Sequence, residues 1–237
     1  MFEREHHRRV ASVLEALDAG QLEACHCLFG GGTAMALRFG EYRQSVDIDF
    51  LVSDREGYRR LRQLLSAADG IAAIARPGRA LIQAREVRAD QYGIRTMLRV
   101  ADADIKFEIV LEGRITLEPP DPDDRLCGVA TLIPLDMATR KLLANSDRWR
   151  DDSVLSRDLI DLAMMAPGKP LLRQAIDKAK GAYGESIEKD LAKAIADLRE
   201  RPHRLNHCMR MMQMTSISKA LLWSRIKALG AALPARP

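Results

Sequence analysis

The sequence predicts an α+β protein: a domain with a mixed sheet and flanking helices, followed by an all-helical domain. Three observations carry this. Residues 24–113 interleave short apolar or alternating runs with stretches of helical spacing. A Pro/Asp-rich stretch, "LEPPDPDDR" (117–125), then interrupts the pattern. Beyond it almost every segment repeats apolar residues at helical spacing. The expected division is an α/β domain over 1–120 and a helical domain over 121–237 that completes a cleft.

The elements follow in order. Residues 4–18 put Val10, Val13, Leu14 and Leu17 on one helix face. "ACHCLF" (24–29), an apolar run ended by glycines, predicts a strand, and "TAMALRF" (33–39) a short helix. "VDIDFLV" (46–52) alternates and then turns apolar, as a half-buried strand does, with Val46, Ile48 and Phe50 entering the core. "SDREGYRRLRQLLSAA" offers Ser53 or Asp54 as the N-cap of a leucine-patterned helix. Strands are expected over 80–87, 92–102 and 103–113. Helices are expected over 134–146, 154–166, 169–182 and 185–200, with a Met-rich helical stretch from 204 to 230.

Composition narrows the class. At 237 residues, 47% hydrophobic and 30% charged, the chain has the make-up of a globular protein with a sizeable core. "MFEREHHRRV" is too charged for a secretory signal and no apolar run approaches transmembrane length, so a cytoplasmic protein with no membrane partner is expected. Cys25, Cys27, Cys127 and Cys208 form no CxxC pair and are read as reduced thiols. A net charge of +4 permits a nucleic-acid partner without demanding one.

The chemistry concentrates in "LFGGGTAMALRFGEYRQSVDIDFLV" (28–52). Its glycines are not a Walker A loop, because no lysine follows Gly32, nor a Rossmann fingerprint, because Met35 stands where a third glycine is needed. No GxSxG elbow occurs to go with a hydrolase oxyanion loop. Asp47 and Asp49 explain more. On a strand they share one face, roughly 6.5–7 Å apart at Cα, where two carboxylates can hold Mg²⁺ together with substrate phosphates. A bare glycine backbone opening a helix presents N–H groups to those phosphates. Glu108, on the polar side of "ADADIKFEIV", would complete a three-carboxylate, two-metal site. A lone DxD is usually a solvated strand edge and a lone glycine run a tight turn; the combination carries the reading.

These residues resemble the DNA polymerase β-type nucleotidyltransferase superfamily, with its glycine turn, Asp-h-Asp strand and third acid on a later strand. More narrowly, "GGTAMALRFGEYRQSVDIDF" is similar to the nucleotidyltransferase AbiEii/AbiGii toxin family, whose GGT-x-L turn precedes Arg–x–Ser/Thr–x–Asp–h–Asp; Arg43, Ser45, Asp47 and Asp49 fit it. Its later lysine and Arg-Asp-x-x-Asp helix find counterparts in Lys141, Arg148, Arg157, Asp158 and Asp161. Two features depart from the pattern: Glu108 where aspartate is usual, and an extra glycine, Gly30. The resemblance implies NMP transfer from an NTP to an acceptor hydroxyl with Mg²⁺ or Mn²⁺. It assigns Asp47, Asp49 and Glu108 to the metals, with Glu108 also deprotonating the acceptor. Gly31, Gly32, Thr33, Ser45 and Lys141 are assigned to the nucleotide, and Asp158 and Asp161 either to the nucleotide or to orienting Lys141. It further implies a toxin acting on RNA, the tRNA 3′ end, and a cognate antitoxin.

Other readings remain beside it. The acceptor alternatives are an aminoglycoside-like small molecule or a protein, and a non-enzymatic alternative is an inactive binding module. Arg201 and His207 have the spacing of HEPN-type ribonucleases, though Pro202 and a loop-like context speak against it. His203, His207 and Cys208 lack a fourth zinc ligand. Met209, Met211, Met212 and Met214 are expected to pack between helices.

Overall fold

The computed structural model describes residues 2–234. The chain divides into two units, 1–41 with 45–133, and 42–44 with 134–237. The division falls later than the expected 120/121. Residues 121–133 stay with the first unit because Leu132 N–H donates to the Phe29 carbonyl and Arg38 donates to the Thr131 hydroxyl and the Asp124 carboxylate, at 2.9 and 2.5 Å.

The first unit is a mixed sheet with strands β1 (Leu28–Gly30), β2 (Ile48–Val52), β3 (Ile82–Gln83), β4 (Arg88–Ala89), β5 (Gly93–Val100) and β6 (Ala103–Leu111). Its order is β1-β2-β6-β5-β3, with β4 also on β5; β2 and β6 run parallel and the other pairs antiparallel. β7 (Arg125–Leu126) and β8 (Val129–Ala130) pair as a second, two-stranded sheet, with Val129 in the same core as Phe29, Phe50 and Phe107. The helices are α1 (Glu5–Ala16), α2 (Ala19–Glu23), α3 (Gly31–Arg38) and α4 (Arg55–Leu65). The sheet's apolar face holds Phe29, Phe50 and Phe107 in a row, with ring centroids 5.5 and 5.6 Å apart. Val10 and Leu14 of α1 and Leu61 and Leu65 of α4 belong to the same core.

Local chemistry sets the helix ends. Asp54, not Ser53, caps α4, its carboxylate accepting from Gly57 N–H at 2.6 Å. The backbone N–H groups of Glu3 and Arg4, before α1, donate to the Glu41 carboxylate at 2.7 and 3.2 Å.

Several expected elements are shorter. Residues 24–27 are not strand, because His26 sits in the left-handed region (φ 50°). Cys25 and Cys27 are nevertheless buried and His26 exposed. β2 begins at Ile48, and Val46 is 46% exposed rather than in the core, because neither neighbouring ladder reaches it. The expected strand 80–87 reduces to β3.

The second unit contains α5 (Pro134–Arg148), α6 (Arg157–Met165), α7 (Lys169–Tyr183), α8 (Ser186–Glu200), α9 (Pro202–Met211) and α10 (Lys219–Gly230). α6 starts later than expected because Leu155 and Ser156 both adopt left-handed backbone. The 204–230 stretch splits into α9 and α10, and "RPHRLNH" is helix rather than loop, opened by Pro202 at its first position. Met209, Met212 and Met214 are buried, but Met211 is 56% exposed. All four cysteines are free, and no helix among the described residues is long and apolar enough to cross a membrane.

Candidate active site

The sheet arranges the expected site in one row. Gly30 pairs with Asp49 across β1–β2, Asp49 with Glu108 across β2–β6, and Glu108 with Arg95 across β6–β5. Register partners project from the same face, so Asp49, Glu108 and Arg95 share the side opposite Phe50 and Phe107. Asp47 lies just before β2 and, like Asp49, is half-buried. Gly31 opens α3 with φ +70°, and a Cβ there would come within 2.4 Å of Asp49 Oδ2. The glycine backbone therefore lies directly on the Asp49 carboxylate. Gly30, the extra glycine, is explained by packing: a Cβ would meet the Leu51 and Leu132 side chains at 2.3 and 2.9 Å.

Glu108 stands where the third acid was expected, and two cations hold its carboxylate. Arg95 Nε donates to Oε1 at 2.6 Å and Lys106 Nζ to Oε2 at 2.5 Å. Burial pushes the Glu108 pKa up, but these two cations outweigh it and hold the carboxyl below its ordinary value. Burial works against the Lys106 ammonium, and Glu108, with Asp49 and Asp47 behind it, holds its pKa above the usual lysine range. Among the described residues no group of three His, Cys, Asp or Glu side chains is gathered for a metal ion. In this arrangement both oxygens of the Glu108 carboxylate are taken by Arg95 and Lys106. Asp47 and Asp49 do fit Mg²⁺ or Mn²⁺. They are hard oxygen donors, and the field they make already attracts an ammonium.

Beside the glycine turn, Thr33 Oγ1 donates to Ser45 Oγ at 2.8 Å. Ser45 N–H donates to His7 Nε2 at 3.3 Å, which leaves Nδ1 as the donor to Glu41 at 2.7 Å. Burial lowers the His7 pKa against the opposing pull of Glu41, as suits a neutral ring that accepts a backbone N–H. His7 and Glu41 thus hold Ser45, and Thr33 fixes its hydroxyl.

The second unit holds a separate ion network. Arg43 grips Asp161 with two hydrogen bonds, at 2.6 and 2.9 Å, and Arg148 grips Asp158 likewise, at 2.7 and 3.0 Å. Lys141 Nζ bridges the two carboxylates, 2.6 Å from Asp161 and 3.1 Å from Asp158, and Tyr42 Oη donates to Asp161 at 2.6 Å. Asp161 is fully buried; burial would raise its pKa, but Arg43 and Lys141 hold it far below the carboxylate range. Asp158 is depressed in the same way, against its burial, by Lys141 and Arg148. These bonded groups carry three positive and two negative charges. Arg157, which fits the motif by position, is exposed, and Arg148 holds Asp158 instead.

The residues that sequence reasoning missed are Lys106, Arg95, Tyr42 and His7. A signal existed for Lys106, which alternates with Glu108 on β6 and so shares its face.

A glycine-opened helix set against carboxylates on adjacent parallel strands of a mixed sheet defines the nucleotidyltransferase class. The chain belongs to the AbiEii family: the family described as "Nucleotidyl transferase AbiEii toxin, Type IV TA system" matches residues 13–225. Two solved structures share the fold. A candidate nucleotidyltransferase from H. pylori is 19% identical, with 96% of this chain and 94% of that one covered and a TM-score of 0.52. JHP933 from Helicobacter pylori is 18% identical, with 98% and 95% covered and the same TM-score. No curated protein matches the chain. A type IV toxin–antitoxin family implies a cognate antitoxin.

Proposed function

We propose that the protein moves an NMP from an NTP to the 3′-terminal hydroxyl of an RNA, with tRNA as the acceptor, and that this transfer is the toxic activity. The observation that carries the reading is the register pair Asp49–Glu108 beside the Gly31 backbone. Two acids side by side next to a glycine-opened helix support a site for an acceptor hydroxyl and a triphosphate.

Asp47 and Asp49 would hold Mg²⁺ or Mn²⁺, which supplies Lewis-acid neutralisation of the triphosphate charge. The N–H groups of Gly31, Gly32 and Thr33 and the Ser45 hydroxyl bind phosphate oxygens. Glu108 takes the proton from the acceptor hydroxyl as its oxygen attacks the α-phosphorus and pyrophosphate leaves. With both carboxylate oxygens on cations Glu108 is a weak base, so this role requires Lys106 or Arg95 to move off. Lys141 stabilises the triphosphate, and Asp158 and Asp161 fix its ammonium rather than touching the nucleotide. The net positive charge of that network supports an anionic ligand.

The test is incubation with each α-³²P NTP, Mg²⁺ and total tRNA. Label on tRNA is the expected result. Label on protein or on an added aminoglycoside would redirect the acceptor, and no label with any NTP would point to a binding module.

A further inference from the structure

Positive charge is unevenly distributed along this chain. From Arg201 onward there are seven Lys and Arg residues and no Asp or Glu, a formal +7, against +4 for the whole chain. Residues 1–200 together are therefore net negative. Five of the seven lie on α9 and α10, Arg201 immediately precedes α9, and Arg236 lies outside the described residues.

Two of these cations are neutralised locally. Arg201 lies 3.0 Å from Asp152 and 2.6 Å from Asp197, and Arg204 lies 3.1 Å from Asp152. Among the described residues Arg210, Lys219, Arg225 and Lys227 have no acidic partner. Their contacts are neutral: Lys219 Nζ donates to the Pro202 carbonyl at 2.9 Å and Arg225 Nη1 to the Met164 carbonyl at 3.4 Å. Arg210 Nη2 lies 3.5 Å from His207 Nδ1.

The arrangement along α9 is regular. Leu205, Cys208 and Met209 are buried, whereas His203, His207 and Arg210 recur at i, i+4 and i+7 on the other side, with Asn206 exposed beside them. The bond from Lys219 to Pro202 brings an ammonium to the start of the same helix. Lys227 lies two turns further along α10 and is exposed.

Unneutralised cations on an exposed face attract a polyanion. Imidazole rings, a guanidinium plane and a primary amide are also the groups that stack on and hydrogen-bond unstacked bases. A membrane fits less well, because the apolar side of α9 is buried within its own unit and cannot insert.

We propose that the outer surface of α9 and α10 is the docking surface for the RNA acceptor, with Arg210, Lys219 and Lys227 on phosphates and His203, Asn206 and His207 on unstacked bases. This rests on RNA being the acceptor.

The experiment uses the full chain with fluorescein-labelled tRNA, read by anisotropy from about 50 to 300 mM salt, a span over which phosphate contacts are expected to weaken steeply. The triple variant Arg210→Gln, Lys219→Gln, Lys227→Gln should bind on the order of a hundredfold more weakly, and its salt slope should fall by roughly three. A control that removes three exposed charges of α4 (Arg55→Gln, Arg60→Gln, Arg62→Gln) should stay close to wild type. Equal weakening in both variants, or none in the first, overturns the surface. Binding of the wild type to phosphatidylserine vesicles but not to tRNA overturns it as well. NMP transfer to tRNA, measured in parallel, separates the two claims. Transfer with undiminished binding in the triple variant rejects the surface and keeps the acceptor. Surface-dependent binding without transfer keeps the surface and rejects the acceptor.

Discussion

Asp49 and Glu108 are register partners in the parallel β2–β6 ladder and project side by side from one face of the sheet. Adjacent strands lie about 4.8 Å apart, a spacing at which two carboxylates repel unless a cation intervenes. In this structure Lys106 and Arg95 meet that need from the Glu108 side. A divalent ion on Asp47 and Asp49 would meet it from the other. The Asp47→Asn and Asp49→Asn variants should therefore fold with a melting temperature near that of wild type, fail to bind Mn²⁺ by titration calorimetry, and lose NMP transfer. Full transfer by either variant, or by the wild type in EDTA, would sink the assignment.

Glu108→Gln should slow the chemical step by on the order of 10²–10⁴, the range for losing a general base, with little change in NTP affinity. Lys106→Met gives a sharper reading. With one cation gone, Glu108 loses part of what holds its pKa down, so the acid limb of the pH–rate profile should move to higher pH. An unmoved limb would mean that some other group takes the proton.

Gly31→Ala combines two costs: a left-handed backbone and a clash with Asp49 Oδ2. At Gly40 (φ +83°) an added Cβ would meet nothing within 4 Å, so Gly40→Ala carries the backbone cost alone. Gly40→Ala should lose roughly 1 kcal/mol in urea melts, and Gly31→Ala more than that together with Mn²⁺ binding. Equal losses and intact Mn²⁺ binding in both variants would show that Asp49 tolerates displacement.

Much of the sheet site was legible because alternation is a local property: Asp49 facing away from Ile48 and Phe50 follows from five consecutive residues. The partners of Glu108 were harder to read, since they depend on register. That register is set by the two-residue turn at Ala101 and Asp102, and counting back from the Val100–Ala103 pair brings Arg95 opposite Glu108. Val46 misled because it continues the alternation past the point where the ladders end. The Arg43–Asp161 contact joins residues 118 positions apart, and no local pattern encodes it. The motif resemblance named both residues but left their contact open.

The network around Lys141 yields the last prediction, on stability and nucleotide binding together. Arg43 and Lys141 hold the Asp161 pKa far below its unfolded value, despite burial. A depressed carboxylate contributes stability that is fully present above the unfolded pKa, about 3.9, and is lost as pH falls toward the folded one. Urea midpoints of the wild type should thus be level between about pH 5 and 8 on this account and decline below about pH 4. Asp161→Asn leaves Arg43 and Lys141 short of a buried counter-charge and should cost about 3–5 kcal/mol at neutral pH. It should also flatten the acid decline; parallel curves for variant and wild type would remove Asp161 from the explanation. Lys141→Met separates bracing from nucleotide binding. A stability loss with unchanged KM for NTP would make Lys141 a brace alone, whereas a raised KM in a variant still folded at the assay temperature would tie its ammonium to the triphosphate. Lys141→Arg should not restore either property, because a wider guanidinium replaces a compact ammonium already seated between two buried carboxylates.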